Sequence, residues 1–333
     1  MTMKILITGA TGFIGSYLVK ALIDDGHICR CLVRKTSNIG NLKSLDNVEI
    51  KYGDITDKSS LKGIVEGIDI VYHLAAIGHV SAASFKTYRI YYTNNVIGTK
   101  NLVEECLRER NIKRFVYFSS TAAMGLLKMP IVDETVKCRP RTPHQKSKYD
   151  CEQLLLKYWK EAHFPVIILR PCMVYGPIGK GEFFKIIKWA KRGMLPKIGK
   201  GKNLTPIVHV NDVVQAALLA MHKGRLGEAY IIADRKSYEF DEIRNIIVRA
   251  LNIRRPYPYV PVVIAKKIAT LLEMIAKFYG GMPIVNHFNI ESTITDRVFS
   301  IDKAQRELGY EPKVKLEDGI KQTIEWLREN GYI

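Results

Sequence analysis

Lys4-Ile5-Leu6-Ile7-Thr8-Gly9-Ala10-Thr11-Gly12-Phe13-Ile14-Gly15 stands near the start of the chain, and its reading decides the fold. Lys4–Thr8 is a short apolar run of the kind that forms a strand buried on both faces. Glycines follow at positions 9, 12 and 15, and a helical period begins over 13–25, with Tyr17, Leu18, Ala21 and Leu22 on one face. Strand, glycine turn and helix together give that spacing a physical meaning. Gly9 permits the tight turn, Gly12 lets backbone approach a pyrophosphate, and Gly15 lets the helix lie close on the sheet. The helix then points its first N–H groups and positive dipole end at the phosphates. Thr11, Phe13 and Ile14 complete this cradle, which is read as a dinucleotide site.

Outward from the cradle, short β-rich runs alternate with helical patterns. Strands are expected at 28–34, 48–52, 69–75, 114–119 and 165–170, the last after a long helix over about 144–162. Strands separated by helices imply parallel crossovers. The expected fold class is α/β, a Rossmann-type doubly wound parallel sheet with a smaller, mainly helical C-terminal lobe. Prolines punctuate the chain after about residue 172, Pro177, Pro196, Pro206, Pro261 and Pro283 among them. The expected division is therefore a dinucleotide-binding domain over 1–172 and a substrate-binding lobe over 173–333. That lobe returns partly to the sheet near 207–235, through a run at 227–233.

The 333 residues are 47% hydrophobic and 25% charged, an ordinary globular balance. The block Ile5-Leu6-Ile7 is too short for a signal-peptide core, and no run reaches the length of a membrane span. A cytoplasmic protein is expected. Cys29, Cys31, Cys106, Cys138, Cys151 and Cys172 show no zinc spacing, so no metal site is expected. Cys29 and Cys31 alternate along one strand and read as buried, reduced thiols. The net charge of +18 is spread along the chain and favours anionic ligands. No nucleic-acid partner is expected, because no finger, RNA-recognition signature or basic heptad run is present. Residues 262–279 form an amphipathic pattern with Lys266, Thr270, Glu273 and Lys277 on one stripe. Such a helix either lies on a membrane or packs over the small lobe. Packing is the expectation, and membrane-surface contact is not.

The end of the second strand should choose the dinucleotide. An acid there would accept from the ribose 2′-OH of NAD, and a base would accommodate the 2′-phosphate of NADP. The run is Leu32-Val33-Arg34-Lys35-Thr36-Ser37, with no acid. Arg34 therefore favours NADP over NAD as cofactor, with both left open.

Further motifs follow in order. They are Gly53-Asp54-Ile55, His73-Leu74-Ala75-Ala76, Asn95-Val96-Ile97-Gly98-Thr99, Ser119-Ser120, Arg170-Pro171 through Tyr175-Gly176-Pro177, and Val208-His209-Val210-Asn211-Asp212-Val213. With the three cradle glycines and the ending Leu308-Gly309-Tyr310-Glu311-Pro312, the whole chain resembles an extended short-chain dehydrogenase/reductase of the NAD-dependent epimerase/dehydratase family. The resemblance implies that Asp54 and Ile55 meet the adenine end of the cofactor. It places Leu74, Ala75, Ala76, Asn95, Lys148 and Pro171 along the rest of it. It also implies a catalytic serine at Ser120 and a catalytic lysine at Lys148. The family's Tyr-x-x-x-Lys is broken here, for the chain reads His144-Gln145-Lys146-Ser147-Lys148. His144 keeps the i,i+4 spacing to Lys148, and imidazole is a competent acid or base near neutral pH. Yet it reaches less far than a phenol. Tyr149 points off that face and cannot substitute for the missing phenol.

Three functions are compatible with these residues. The first is an NAD(P)-dependent epimerase or dehydratase working by reversible hydride transfer at a carbinol carbon. Its substrate would be a nucleotide sugar, suggested by Tyr91-Tyr92-Thr93-Asn94-Asn95 and the basic charge. The second is a ketone or alcohol reductase resembling dihydroflavonol reductase or 3β-hydroxysteroid dehydrogenase. The third is a dinucleotide sensor without turnover, supported by His144. Residues that read the substrate are expected within 78–92 and 183–205. A homodimer is a further expectation.

Overall fold

The computed structural model describes residues 2–78, 85–253, 258–279, 283 and 285–333. In the first half, strands β1 (Lys4–Thr8), β2 (Ile28–Val33), β3 (Val48–Tyr52), β4 (Ile70–His73), β5 (Arg114–Phe118) and β6 (Val166–Pro171) alternate with helices. Those helices are α1 (Phe13–Asp24), α2 (Gly40–Lys43), α3 (Phe85–Tyr91), α4 (Gly98–Glu109) and α5 (Pro143–Ala162). Short strands β7 (Met173–Tyr175), β8 (Lys197–Ile198), β9 (Leu204–Thr205) and β10 (Ile207–His209) follow, with α6 (Glu182–Lys191) after β7. Next come α7 (Val210–Lys223), β11 (Ala229–Ile232), β12 (Tyr238–Glu239), α8 (Phe240–Leu251) and β13 (Tyr259–Val260). The chain closes with α9 (Val262–Tyr279), α10 (His287–Ile294), α11 (Asp302–Leu308) and α12 (Leu316–Glu329).

The main sheet has seven strands in the order β11-β6-β5-β4-β1-β2-β3, and every pairing in it is parallel. The expected α/β doubly wound sheet is present, and β11 is the strand that returns to it. The order reverses between β4 and β1. In such sheets the crevice outside the carboxyl ends at the reversal is where ligands sit. Strand β1 ends there at Thr8, directly before the glycine turn. Central strands β4 and β6 are buried throughout, as continuous apolar runs covered on both faces should be. Cys29 and Cys31 lie side by side in the same core cluster, and burial pushes the Cys29 thiol up to about 12.

Two local features place the later chemistry. Helix α5 starts with a capping box in which Thr142 accepts from the Gln145 backbone, with Pro143 at the first helical position. This start fixes His144 in the first turn and Lys148 one turn deeper. Gln145 also accepts from the backbone N–H groups of Arg141 and Thr142, which ties down the approach to the helix.

Helix α9 forms over the expected residues, but packing does not account for its apolar pattern. Its buried positions are Ala265, Ala269 and Ala276. Its large side chains are exposed instead, Phe278 by 85% and Val263 by 65%. Small residues allow close approach to the neighbouring α10, and they turn the bulky stripe outward.

Candidate active site

The glycine turn has the geometry a pyrophosphate needs. Gly9 sits at φ +75°, in the left-handed region, and a Cβ there would come within 2.8 Å of the Ala75 backbone nitrogen. A Cβ at Gly15 would lie 2.2 Å from the Gly9 carbonyl oxygen, so only glycine lets α1 sit this close to the turn. At Gly12 the added carbon would meet only the Gly9 carbonyl oxygen, at 3.1 Å. The space above the helix end is otherwise open. Gly12 is the N-cap of α1 and no side chain caps that end. Its N–H donates to the Gly9 carbonyl at 2.9 Å. Thr11 and Gly12 are exposed, while Phe13 and Ile14 are half-buried. These features fit a dinucleotide pyrophosphate, held by backbone N–H groups at the helix start.

The wall opposite is the end of β4. His73 is fully buried between Thr8 and Thr99, its Nδ1 2.7 Å from Thr8 Oγ1 and its Nε2 2.8 Å from Thr99 Oγ1. Burial, with a smaller contribution from the Lys148 charge, lowers its pKa to about 3, so the ring is neutral. Thr8 Oγ1 in turn accepts from the Ala75 N–H at 3.1 Å. A chain of side chains therefore fixes the distance between the glycine turn and the Leu74–Ala76 backbone. Asn95 braces the same segment. Its Oδ1 accepts from Ile77 N at 2.8 Å, and its Nδ2 donates to the Ile77 carbonyl and to Ser147 Oγ.

Asp54, which the resemblance assigns to the adenine end, follows β3. Its Oδ1 accepts from the Thr56 N–H and hydroxyl, both at 2.8 Å, which closes a tight turn. The Ile55 carbonyl accepts from Asn101 Nδ2, and a Cβ on Gly98 would meet the Ile55 side chain at 2.7 Å. Arg34, just past β2, is exposed. It forms no side-chain hydrogen bond or ion pair among the described residues, which leaves its guanidinium available to a phosphate.

Ser120, Lys148 and Pro171 converge at the ends of β5 and β6. Ser120 Oγ lies 3.4 Å from the Pro171 carbonyl and accepts from Ala122 N at 3.1 Å. Lys148 is buried, donates to the Phe118 carbonyl at 2.8 Å, and has its pKa lowered by desolvation. His144 is half-buried, with its ring 5.7 Å from that of Tyr91, and its carbonyl accepts from Ser147 Oγ. Lys148 thus stands buried one helical turn after His144, its Nζ held by the Phe118 carbonyl. This pair could hold and move a proton at a substrate oxygen.

Two groups here were not picked out from the sequence. Glu152, one turn after Lys148, pairs with Arg170 through Nε at 3.0 Å and Nη2 at 2.7 Å, and accepts from Ser119 Oγ at 2.5 Å. This buried network anchors the carboxyl ends of β5 and β6. The i,i+4 spacing of Lys148 and Glu152 was a signal for it. The second group is Arg297. Its Nε is enclosed and has no hydrogen-bond partner among the described residues, and burial lowers its pKa. Its charge acts on Cys172, the residue after Pro171. Arg297 N donates to the Leu204 carbonyl, and its own carbonyl accepts from Ser237 Oγ. Nothing in the local sequence signals Arg297, because long-range contacts bring it to the site.

Of the segments expected to read the substrate, residues 79–84 lie outside the described residues. In the other, Phe183 belongs to a buried cluster with Tyr175 and Ile187 and so supports rather than lines the crevice. Among the described residues, no group of three or more His, Cys, Asp or Glu is placed to hold a metal ion. No described helix is long and apolar enough to cross a membrane.

Comparison with known proteins agrees with this geometry. The profile of the NAD dependent epimerase/dehydratase family matches residues 5–233. A dTDP-D-glucose 4,6-dehydratase of Homo sapiens is 29% identical, over 98% of this chain and 90% of that protein. A 2-alkyl-3-oxoalkanoate reductase of Stenotrophomonas maltophilia (strain K279a) is 27% identical, over 96% and 98%. The solved structure of a UDP-glucuronic acid 4-epimerase from Bacillus cereus in complex with NAD superposes with a TM-score of 0.79 at 25% identity, covering 98% of this chain and 99% of that one. The match of sequence and fold over nearly the whole length means that this chain belongs to the NAD-dependent epimerase/dehydratase family, whose members are oxidoreductase-type enzymes.

Proposed function

We propose that this enzyme acts on a nucleotide sugar, by reversible hydride transfer at a carbinol carbon. The observation that carries this reading is Arg297. An enclosed guanidinium nitrogen without a partner costs free energy until an anion pairs with it. A nucleoside diphosphate supplies that anion, and the overall charge of +18 favours its approach. The bound nicotinamide would take and return the hydride. Ser120 would orient the substrate oxygen, His144 would hold its proton, and the Lys148 cation would favour negative charge there. Six unpaired cysteines support the reducing cytoplasmic compartment expected from the sequence.

The test is calorimetric titration with UDP and dTDP. Wild-type protein is expected to bind at least one of them, and Arg297→Met to weaken that binding by about tenfold or more, since a charge-assisted hydrogen bond contributes roughly 1.5–3 kcal/mol. Equal affinity in the two proteins would remove the nucleotide-sugar reading. The same logic applies to cofactor choice. We propose NADP(H) over NAD(H), because Arg34 is exposed and without a side-chain polar partner among the described residues. NADPH should bind about tenfold tighter than NADH, and Arg34→Ala should erase the difference. A wild-type preference for NADH would refute it.

A second reading, reduction of an apolar ketone, has an observation of its own. Glu291 on α10 pairs with Lys128 at 3.1 Å and Arg141 at 3.5 Å, on segments that flank Ser120 and His144. This joins the apolar α9–α10 hairpin to the approach to the site. The 2-alkyl-3-oxoalkanoate reductase of Stenotrophomonas maltophilia is a relative named for a keto substrate, though one that carries a carboxylate.

A further inference from the structure

Helix α9 presents an apolar face that the other described residues leave uncovered. Ile264, Ile268, Leu271, Ile275 and Phe278 recur at three- and four-residue spacing, with Val263 beside them, and all six are 45–85% exposed. Exposed contiguous apolar surface of this kind marks an interaction site. The helix is inverted relative to an ordinary surface helix, since its alanines face the protein and its bulky residues face out.

The charges around the face select its occupant. Lys266, Lys267 and Lys277 are exposed on this helix. Its only acid, Glu273, is committed to His287, accepting from its backbone N–H at 2.8 Å and lying 3.1 Å from Nδ1. Lys200 and Lys202 are also exposed, in the segment that abuts the start of α9 through Gly199 and Val262. Tyr259 and Tyr279 stand just before and at the end of the helix, 62% and 79% exposed. Tyrosines suit a boundary with one apolar side and one wet side. A second copy of the chain would set lysines against lysines across this face. An anionic bilayer surface meets both features at once, with acyl chains for the stripe and acidic headgroups for the lysines. The helix carries four charged residues among its 18, Lys266, Lys267, Glu273 and Lys277, and is not apolar enough to span.

We propose that α9 docks this enzyme in the plane of an anionic lipid bilayer, its apolar face in the headgroup–acyl boundary. The inference stands whether the substrate is a nucleotide sugar or an apolar ketone.

The test is co-sedimentation of the full chain with phosphatidylcholine vesicles, with and without phosphatidylglycerol. Wild type is expected to partition onto the phosphatidylglycerol vesicles and to be released by salt. Leu271→Glu/Ile275→Glu should lower that partition by about tenfold or more, with dinucleotide affinity unchanged. Lys266→Glu/Lys267→Glu/Lys277→Glu should abolish the preference for phosphatidylglycerol. Wild type remaining in the supernatant would overturn the proposal. So would sedimentation velocity without lipid showing that Leu271→Glu/Ile275→Glu converts a dimer to a monomer, because a second copy would then cover the face.

Discussion

His144 is the residue on which the proposed chemistry turns. It occupies the second position of a capped helix, with a buried, desolvated Lys148 on the same face. The spacing to Lys148 that the resemblance requires is therefore kept, while the group at the first position is an imidazole. If His144 carries the substrate proton, His144→Phe should cut turnover by about 10²–10⁴-fold, the usual worth of a positioned acid or base. Dinucleotide affinity should be unchanged, because the glycine cradle is a separate structure. His144→Tyr should restore turnover, since Ser120 and Lys148 are already in place. Equal turnover by wild type and His144→Phe would assign the residue no chemistry and leave the proton transfer to Ser120 with water, whereas no turnover by either protein would favour a dinucleotide sensor. This position was legible in the sequence through the resemblance, whose Tyr-x-x-x-Lys pattern His144 and Lys148 follow in spacing. Arg297 was not, because its place beside Cys172 arises from the way distant segments fold together.

At the scale of elements, strand β4 and the turn after β1 are coupled by His73. A buried neutral imidazole has a pH signature. Its folded pKa of about 3 lies below the ordinary value near 6.5, so only the unfolded chain takes up the proton between those values. Stability from the neutral ring is complete above about pH 6.5 and falls as pH drops below it. His209, buried and lowered to about 4, contributes in the same direction. Each should add about 1.4 kcal/mol per pH unit to the slope. Urea unfolding between pH 7 and 5 reads this effect together with those of His27, whose pKa burial also lowers, and of Glu134 and Asp212, whose carboxyls burial raises, so the comparison with a variant isolates the single ring. His73→Gln should remove one proton's worth of the slope, and an unchanged slope would show that the ring is not held neutral. Element order and strand limits were readable because glycine turns and apolar runs are local signals. The outward face of α9 was not. Periodicity reports that a helix has two faces, and only packing decides that Ala265 and Ala269 go inside rather than Leu271.

For the whole molecule, the charge of +18 is a property no single motif carries. It bears directly on the choice between a nucleotide sugar and an apolar ketone. A positive field accelerates encounter with an anion and does nothing for a neutral ketone. Exposed charges lose their reach as the screening length shrinks from about 10 Å at 0.1 M salt to about 3 Å at 1 M. Arg297 is half-buried with its Nε enclosed, so its pairing with a bound diphosphate should be screened less. The two contributions separate in kinetics. With a nucleotide-sugar substrate, kcat/KM should fall by about tenfold or more over that range of salt, while kcat holds. The residual kcat/KM at high salt should be the part that Arg297→Met removes. With a neutral ketone neither parameter should fall, and a flat kcat/KM on the best substrate found would therefore decide for the reductase reading.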